Sequence, residues 1–96
     1  MTDSDTTELS RDLPILNRKG LHARASAKFV QCADAFDASI TVSKDQNTVG
    51  GTSIMGLMML AASPGCSVQV TAAGPQASEV LTALEDLVAD KFGEEV

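Results

Sequence analysis

The chain reads as an α+β domain: a four-stranded antiparallel sheet covered on one face by three helices, in the order β-α-β-β-α-β-α. Three observations predict this. Four short segments alternate apolar and polar residues, so each needs only one buried face. Two segments repeat their apolar residues at helical spacing, and a third is a compact apolar run. One sheet with every helix on the same side satisfies all seven segments at once. With 96 residues there is room for one core, and roughly two-thirds of the unfolded chain's surface can be buried without a metal or disulfide staple.

Leu13 and Ile15 alternate around Pro14, which puts the first strand at a sheet edge because proline cannot donate to the ladder. After Asn17-Arg18-Lys19-Gly20, the residues Ala25, Phe29, Ala33 and Phe36 recur at steps of four, four and three and predict a helix over about 23 to 35. Ile40 and Val42 alternate with Thr41 and Ser43, Lys44 to Asn47 offers a turn, and Thr48-Val49 returns, giving a hairpin broken at Gly50-Gly51. Ser53 opens a short helix, Ile54 to Leu60, that stops before Ser63-Pro64-Gly65. Ile54, Leu57, and Leu60 or Ala61 can face its core side. Val68, Val70 and Ala72 form the fourth strand. From Gln76, the residues Val80, Leu81, Leu84, Leu87 and Val88 trace one face of a last helix ending near Gly93. Residues 1–7 are expected to be a disordered tail, 8–92 the domain and 93–96 a short acidic tail.

Seven Lys plus Arg against thirteen Asp plus Glu leave a net charge of −6, which argues against coating a nucleic-acid backbone. Phe29, Phe36 and Phe92 are the only aromatic residues, too few to stack bases or sugar rings. The charge is uneven: Arg11, Arg18, Lys19, Arg24 and Lys28 against Asp12 give one stretch a local excess of +4, and the rest of the chain carries −10. That pattern points to a specific site for a small anion or an acidic partner. Cys32 and Cys66 lie 34 residues apart and His22 is the only histidine, so neither a zinc site nor a redox motif is expected, and no cofactor. Met1 to Thr7 lacks a signal-peptide pattern, and Ile54 to Ala62 is too short to span a bilayer. A cytoplasmic monomer is the expectation.

In Lys19-Gly20-Leu21-His22-Ala23-Arg24 the histidine stands just before the first turn of the first helix. The unpartnered N–H groups and dipole of a helix start make an anion site. Neutral imidazole there can attack a phosphoryl group, and the new negative charge would lie against those N–H groups and the Arg24 guanidinium. An isolated histidine at such a position is ordinarily a surface residue without chemistry, but the context here is specific. Gly20 to Arg24, reading Gly-Leu-His-Ala-Arg before an Ala-rich helix, resembles the active-site signature of the HPr family, the histidine phosphocarriers of the bacterial phosphotransferase system. Ser53 to Leu60 likewise resembles that family's regulatory serine and the helix after it, and the likeness covers about residues 8 to 92.

The resemblance implies an open-faced β-sandwich and a relay role without independent turnover. On this sequence it makes His22 the residue phosphorylated on Nδ1 by phosphorylated enzyme I, and IIA-type proteins the acceptors. Arg24 becomes the phosphate-stabilising partner, and Ala23 to Ala25 supply backbone donors. Lys19 adds a cation near the phosphate. Family members commonly have proline where this chain has Ala25, so some preorganisation is given up and a donor restored.

Ser53 also has a purely structural role to fill, as the N-cap of the short helix. The family adds its phosphorylation by an HPr kinase/phosphorylase. Ile54, Met55, Met58 and Met59 would form the docking surface, since three methionines on so short a helix cannot all be buried. An alternative is a regulatory interaction protein of the nitrogen-type branch, signalling by its phosphorylation state with little sugar transport. A third possibility is an unmodified small-anion-binding domain.

Overall fold

Leu13, Ile40, Val42, Val68, Val70 and Ala72, the apolar members of the alternating segments, are all buried beneath the helices in the computed structural model, which describes residues 8–94. The expected tail at 1–7, and residues 95–96, lie outside the described residues. The strands are β1 (Glu8–Pro14), β2 (Ser39–Lys44), β3 (Asn47–Gly50) and β4 (Ser67–Ala73). They form one sheet in the order β1-β4-β2-β3 with every neighbouring pair antiparallel. Pro14 lies on the edge strand, opposite Ser67. Asp45 and Gln46 turn the hairpin with φ of 52° and 71°, the conformation that a two-residue connection requires to match strand twist. The uncovered face carries small polar residues, with Ser10 Oγ 2.9 Å from Thr71 Oγ1 and Ser43 Oγ 2.7 Å from Thr48 Oγ1.

The helices are α1 (Ala23–Asp34), α2 (Ile54–Met59) and α3 (Ala77–Ala89). α1 buries Ala25, Phe29 and Ala33, and α3 buries Val80, Leu81, Leu84 and Val88. Burying a side chain such as Phe29 completely is worth roughly 1.5–3 kcal/mol.

Two expectations need correction. Ile54, expected to be able to face the core, is 40% exposed and sides with the methionines; Leu57 and Leu60 alone anchor α2. A six-residue helix, under two turns long, reaches the core through Leu57 and through Leu60 at its C-cap. The last helix also stops at Ala89, short of Gly93. Beyond it Lys91, Phe92 and Gly93 all take positive φ (57°, 57° and 77°), the left-handed reversal by which helices commonly end. This reversal keeps Phe92 in the core at 1% exposure and turns the chain back toward the start of α1.

Candidate functional site

The loop from β1 to α1 is held by its backbone. Asn17 Nδ2 donates to the Gly20 carbonyl at 2.8 Å, and Leu21 N–H donates to the Ala62 carbonyl at 3.0 Å. Gly20 has φ +64°, and a Cβ there would come within 2.1 Å of the Ala62 oxygen, so no other residue fits without moving the loop. His22 follows in extended geometry as the N-cap of α1. Its Nδ1 accepts the Arg24 N–H at 3.2 Å, and its carbonyl accepts the Ser26 N–H at 2.8 Å. Since Arg24 N–H can only donate, Nδ1 carries a lone pair and the ring proton sits on Nε2.

Nε2 is 2.6 Å from Glu94 Oε2. Asn17 Nδ2 donates to the other carboxylate oxygen, Oε1, at 3.2 Å. Both partners of Asn17 Nδ2 are pure acceptors, which fixes the orientation of the amide, and Asn17 Oδ1 is left buried without a partner. The ring is 27% exposed and the carboxylate 14%. Desolvation pushes the Glu94 carboxyl up. Hydrogen bonds from His22 and Asn17 and the charges of His22 and Lys19 outweigh it, and the carboxyl is held below its ordinary value. The turn that delivers Glu94 is fastened to α1 by Lys28 Nζ, which donates to the Phe92 carbonyl at 2.6 Å.

Lys19, His22, Ala23, Arg24 and Glu94 line a concavity of about 320 Å³. The structure therefore brings together four of the residues read from the sequence. Ala25 does not line it: its methyl group is fully buried in the core. Arg24 is exposed and has no ion-pair partner among the described residues, leaving its guanidinium available to an anion. Ser53 lies elsewhere, at the start of α2, where its Oγ accepts the Gly56 N–H at 2.9 Å. A larger groove of about 450 Å³ near the hairpin includes Asp12, Lys44, Asp45 and Gln69, but Lys44 there is spent on Asp45 at 2.8 Å and the groove has no histidine. Among the described residues no three of His, Cys, Asp and Glu converge as metal ligands, and no helix is long and apolar enough to cross a membrane.

Sequence reasoning missed Asn17 and Glu94. They are 77 residues apart, and no local spacing connects them. The one available hint was an apolar Phe92 beside Gly93, an arrangement that suits a chain reversal better than a solvated tail.

An open-faced sandwich that presents one imidazole at a helix start, with Nδ1 directed at the helix N–H groups and a free arginine alongside, defines the class of small histidine phosphocarriers. A family model described as the PTS HPr component phosphorylation site matches residues 9–90. The chain is 45% identical over 86 residues to phosphocarrier protein HPr of Neisseria meningitidis serogroup A, covering 90% of this chain and 97% of that one. It is 46% identical to HPr of Cupriavidus necator over the same length, again covering 90% and 97%. The solved structure of HPr-C-His from Thermoanaerobacter tengcongensis matches with a TM-score of 0.87 at 44% identity, covering 92% of this chain and 99% of that one. The chain belongs to the HPr family and is a phosphocarrier of the phosphotransferase system.

Proposed function

We propose that His22 accepts a phosphoryl group on Nδ1 from phosphorylated enzyme I and passes it to IIA-type proteins. The observation that carries this reading is the direction of the ring: Nδ1 faces the helix start and holds the lone pair, while Nε2 is occupied by Glu94. When Nδ1 bonds to phosphorus it gives up the Arg24 N–H, and a phosphoryl oxygen takes its place as acceptor. The α1 cap thus passes from ring nitrogen to phosphate without leaving the helix unsatisfied. Arg24 and Lys19 balance the added charge at the rim, and the N–H groups of Ala23 to Ala25 complete the cradle.

Ser53 is the regulatory site for an HPr kinase/phosphorylase. A phosphate there keeps the helix intact, because the dipole at a helix start favours negative charge, so its effect falls on docking. The docking surface is Ile54, Met55, Met58 and Met59, of which Met55 and Met59 are 69% and 78% exposed. Flexible methionines suit a surface that serves several partners. The protein acts in the cytoplasm as a monomer, and sedimentation at two concentrations checks the monomer.

The test is intact mass after incubation with enzyme I, phosphoenolpyruvate and magnesium. One acid-labile phosphate is expected on the protein and none on His22→Ala. An unchanged mass with demonstrably active enzyme I would overturn the reading.

A further inference from the structure

We propose that Met55 and Met59, with Met58 beside them, form a site of reversible oxidation: hydroperoxides convert their thioethers to sulfoxides, and the oxidised face of α2 docks the phosphoryl donor poorly. This rests on the reading of that face as the docking surface and adds a second means of regulating it.

The three residues are spaced i, i+3 and i+4, which puts them on one side of the helix. They are 69%, 40% and 78% exposed in chain order. Leu57 and Leu60, at 0% and 5%, hold α2 to the core from its other side. The fourth methionine of the chain, Met1, lies outside the described residues, so every described methionine is on this one face. Oxidation follows exposure, and Met55 and Met59 therefore react before Met58.

In the reaction a sulfur lone pair attacks the hydroxyl oxygen of the hydroperoxide, and the O–O bond breaks as the S–O bond forms. The proton of the attacked oxygen passes to the leaving one, which departs as water or an alcohol. Sulfur is oxidised, the peroxide is reduced, and the step needs neither thiol nor metal. A flexible apolar side chain becomes a polar, uncharged one. Burying its S–O dipole against a partner's apolar surface without a hydrogen bond is costly. The helix itself is untouched, because Ser53 Oγ still caps it at Gly56 N–H and its core contacts are leucines.

Two signatures set this mark apart. An uncharged sulfoxide weakens docking by the same factor at low and high salt, whereas repulsion by a phosphate at Ser53 is screened. Thioether oxidation does not depend on pH. Oxidation of Cys66 does, because its thiolate is the reactive form; hydrogen bonds from Ser63 hold that thiol below its ordinary value.

The full chain is treated with hydrogen peroxide at two pH values, mapped by peptide mass and assayed for single-turnover transfer from phosphorylated enzyme I. Oxygen is expected first on Met55 and Met59, at a rate that pH does not change. Transfer is expected to fall about tenfold, to recover after treatment with the two methionine sulfoxide reductases, and to fall as far in Cys66→Ser. A variant combining Met55→Leu, Met58→Leu and Met59→Leu keeps the apolar bulk and is expected to transfer alike before and after peroxide. Melts of oxidised and untreated protein are expected to coincide. Unchanged transfer by protein carrying both sulfoxides overturns the proposal, as does an equal loss in the leucine variant or an earlier melt. Met55→Glu tests the docking surface by itself, since it places a charge on the same face without oxidation. If Met55→Glu weakens transfer and the sulfoxides do not, only the oxidation site falls; if neither does, the docking reading fails with it.

Discussion

His22 and Ser53 each cap a helix with a side-chain acceptor, His22 through Nδ1 to Arg24 N–H at 3.2 Å and Ser53 through Oγ to Gly56 N–H at 2.9 Å. Beyond that bond they differ. Ser53 is exposed, and among the described residues its only side-chain hydrogen bond is to its own helix three residues on. His22 is joined to Glu94, 72 residues away, through a reversed turn seated on a buried phenylalanine. A local cap can be modified without consulting the rest of the chain, whereas the histidine's geometry depends on the far end of the domain. The regulatory mark proposed for Ser53 suits the first arrangement, and the nucleophile proposed at His22, which would need one orientation for every transfer, suits the second.

The largest break in this contrast is Phe92→Ala. Removing a phenylalanine at 1% exposure is expected to cost about 3–5 kcal/mol, read by urea denaturation. It should displace the His22 ring resonances while the Gly56 amide keeps its hydrogen bond. If the two regions respond alike, the clasp is not specific to the histidine. Ser53→Ala comes next: losing the cap is expected to cost about 1 kcal/mol, measured as a lower melting temperature, with His22 phosphorylation by enzyme I unaffected.

Acid should separate the regions further. A carboxyl held low in the folded state binds fewer protons there than in the unfolded chain. Its contribution is fully present above the ordinary value of 4.5 and is lost as pH falls through the lower folded value. Hydrogen exchange at Phe92 to Glu94 is therefore expected to quicken in that acid range before exchange in α2 does, and Glu94→Gln should remove the difference. The smallest effect sharpens the account of the reversal. Lys91 is exposed with φ 57°, so Lys91→Gly exchanges left-handed strain for chain entropy. It should change stability by no more than a few tenths of a kcal/mol, toward stabilisation. A loss above 1 kcal/mol would mean that the lysine side chain itself holds the turn.

What could be read from the sequence follows the same division. Alternation at Leu13, Val42, Val68 and Val70, and the helical spacing of Ala25, Phe29 and Ala33, reported the sheet and α1 because burial on one face dictates those patterns locally. The Ser53 cap was legible for the same reason. Two features were not. Ile54 could have faced either way on a helix of a single turn or so, and only packing decides which apolar residues of such a segment reach the core. The end of α3 was placed too late because Val88 and Phe92 continue a helical period, while a switch to positive φ at non-glycine residues has no compositional signal. That switch brings Glu94 to His22, so the half of the site that depends on it was invisible from local pattern. The half set by neighbours in sequence, His22, Arg24 and Lys19, was visible.

The bond from Arg24 N–H to Nδ1 also makes the protein its own gauge. Without tryptophan or tyrosine the chain offers almost no fluorescence, yet this one amide has as its acceptor the nitrogen proposed to take the phosphoryl group. Any covalent change at Nδ1 removes that acceptor, and the Arg24 amide resonance must move with it. On that proposal, one peak in a proton–nitrogen spectrum follows loading and unloading in real time, with no label beyond the isotope.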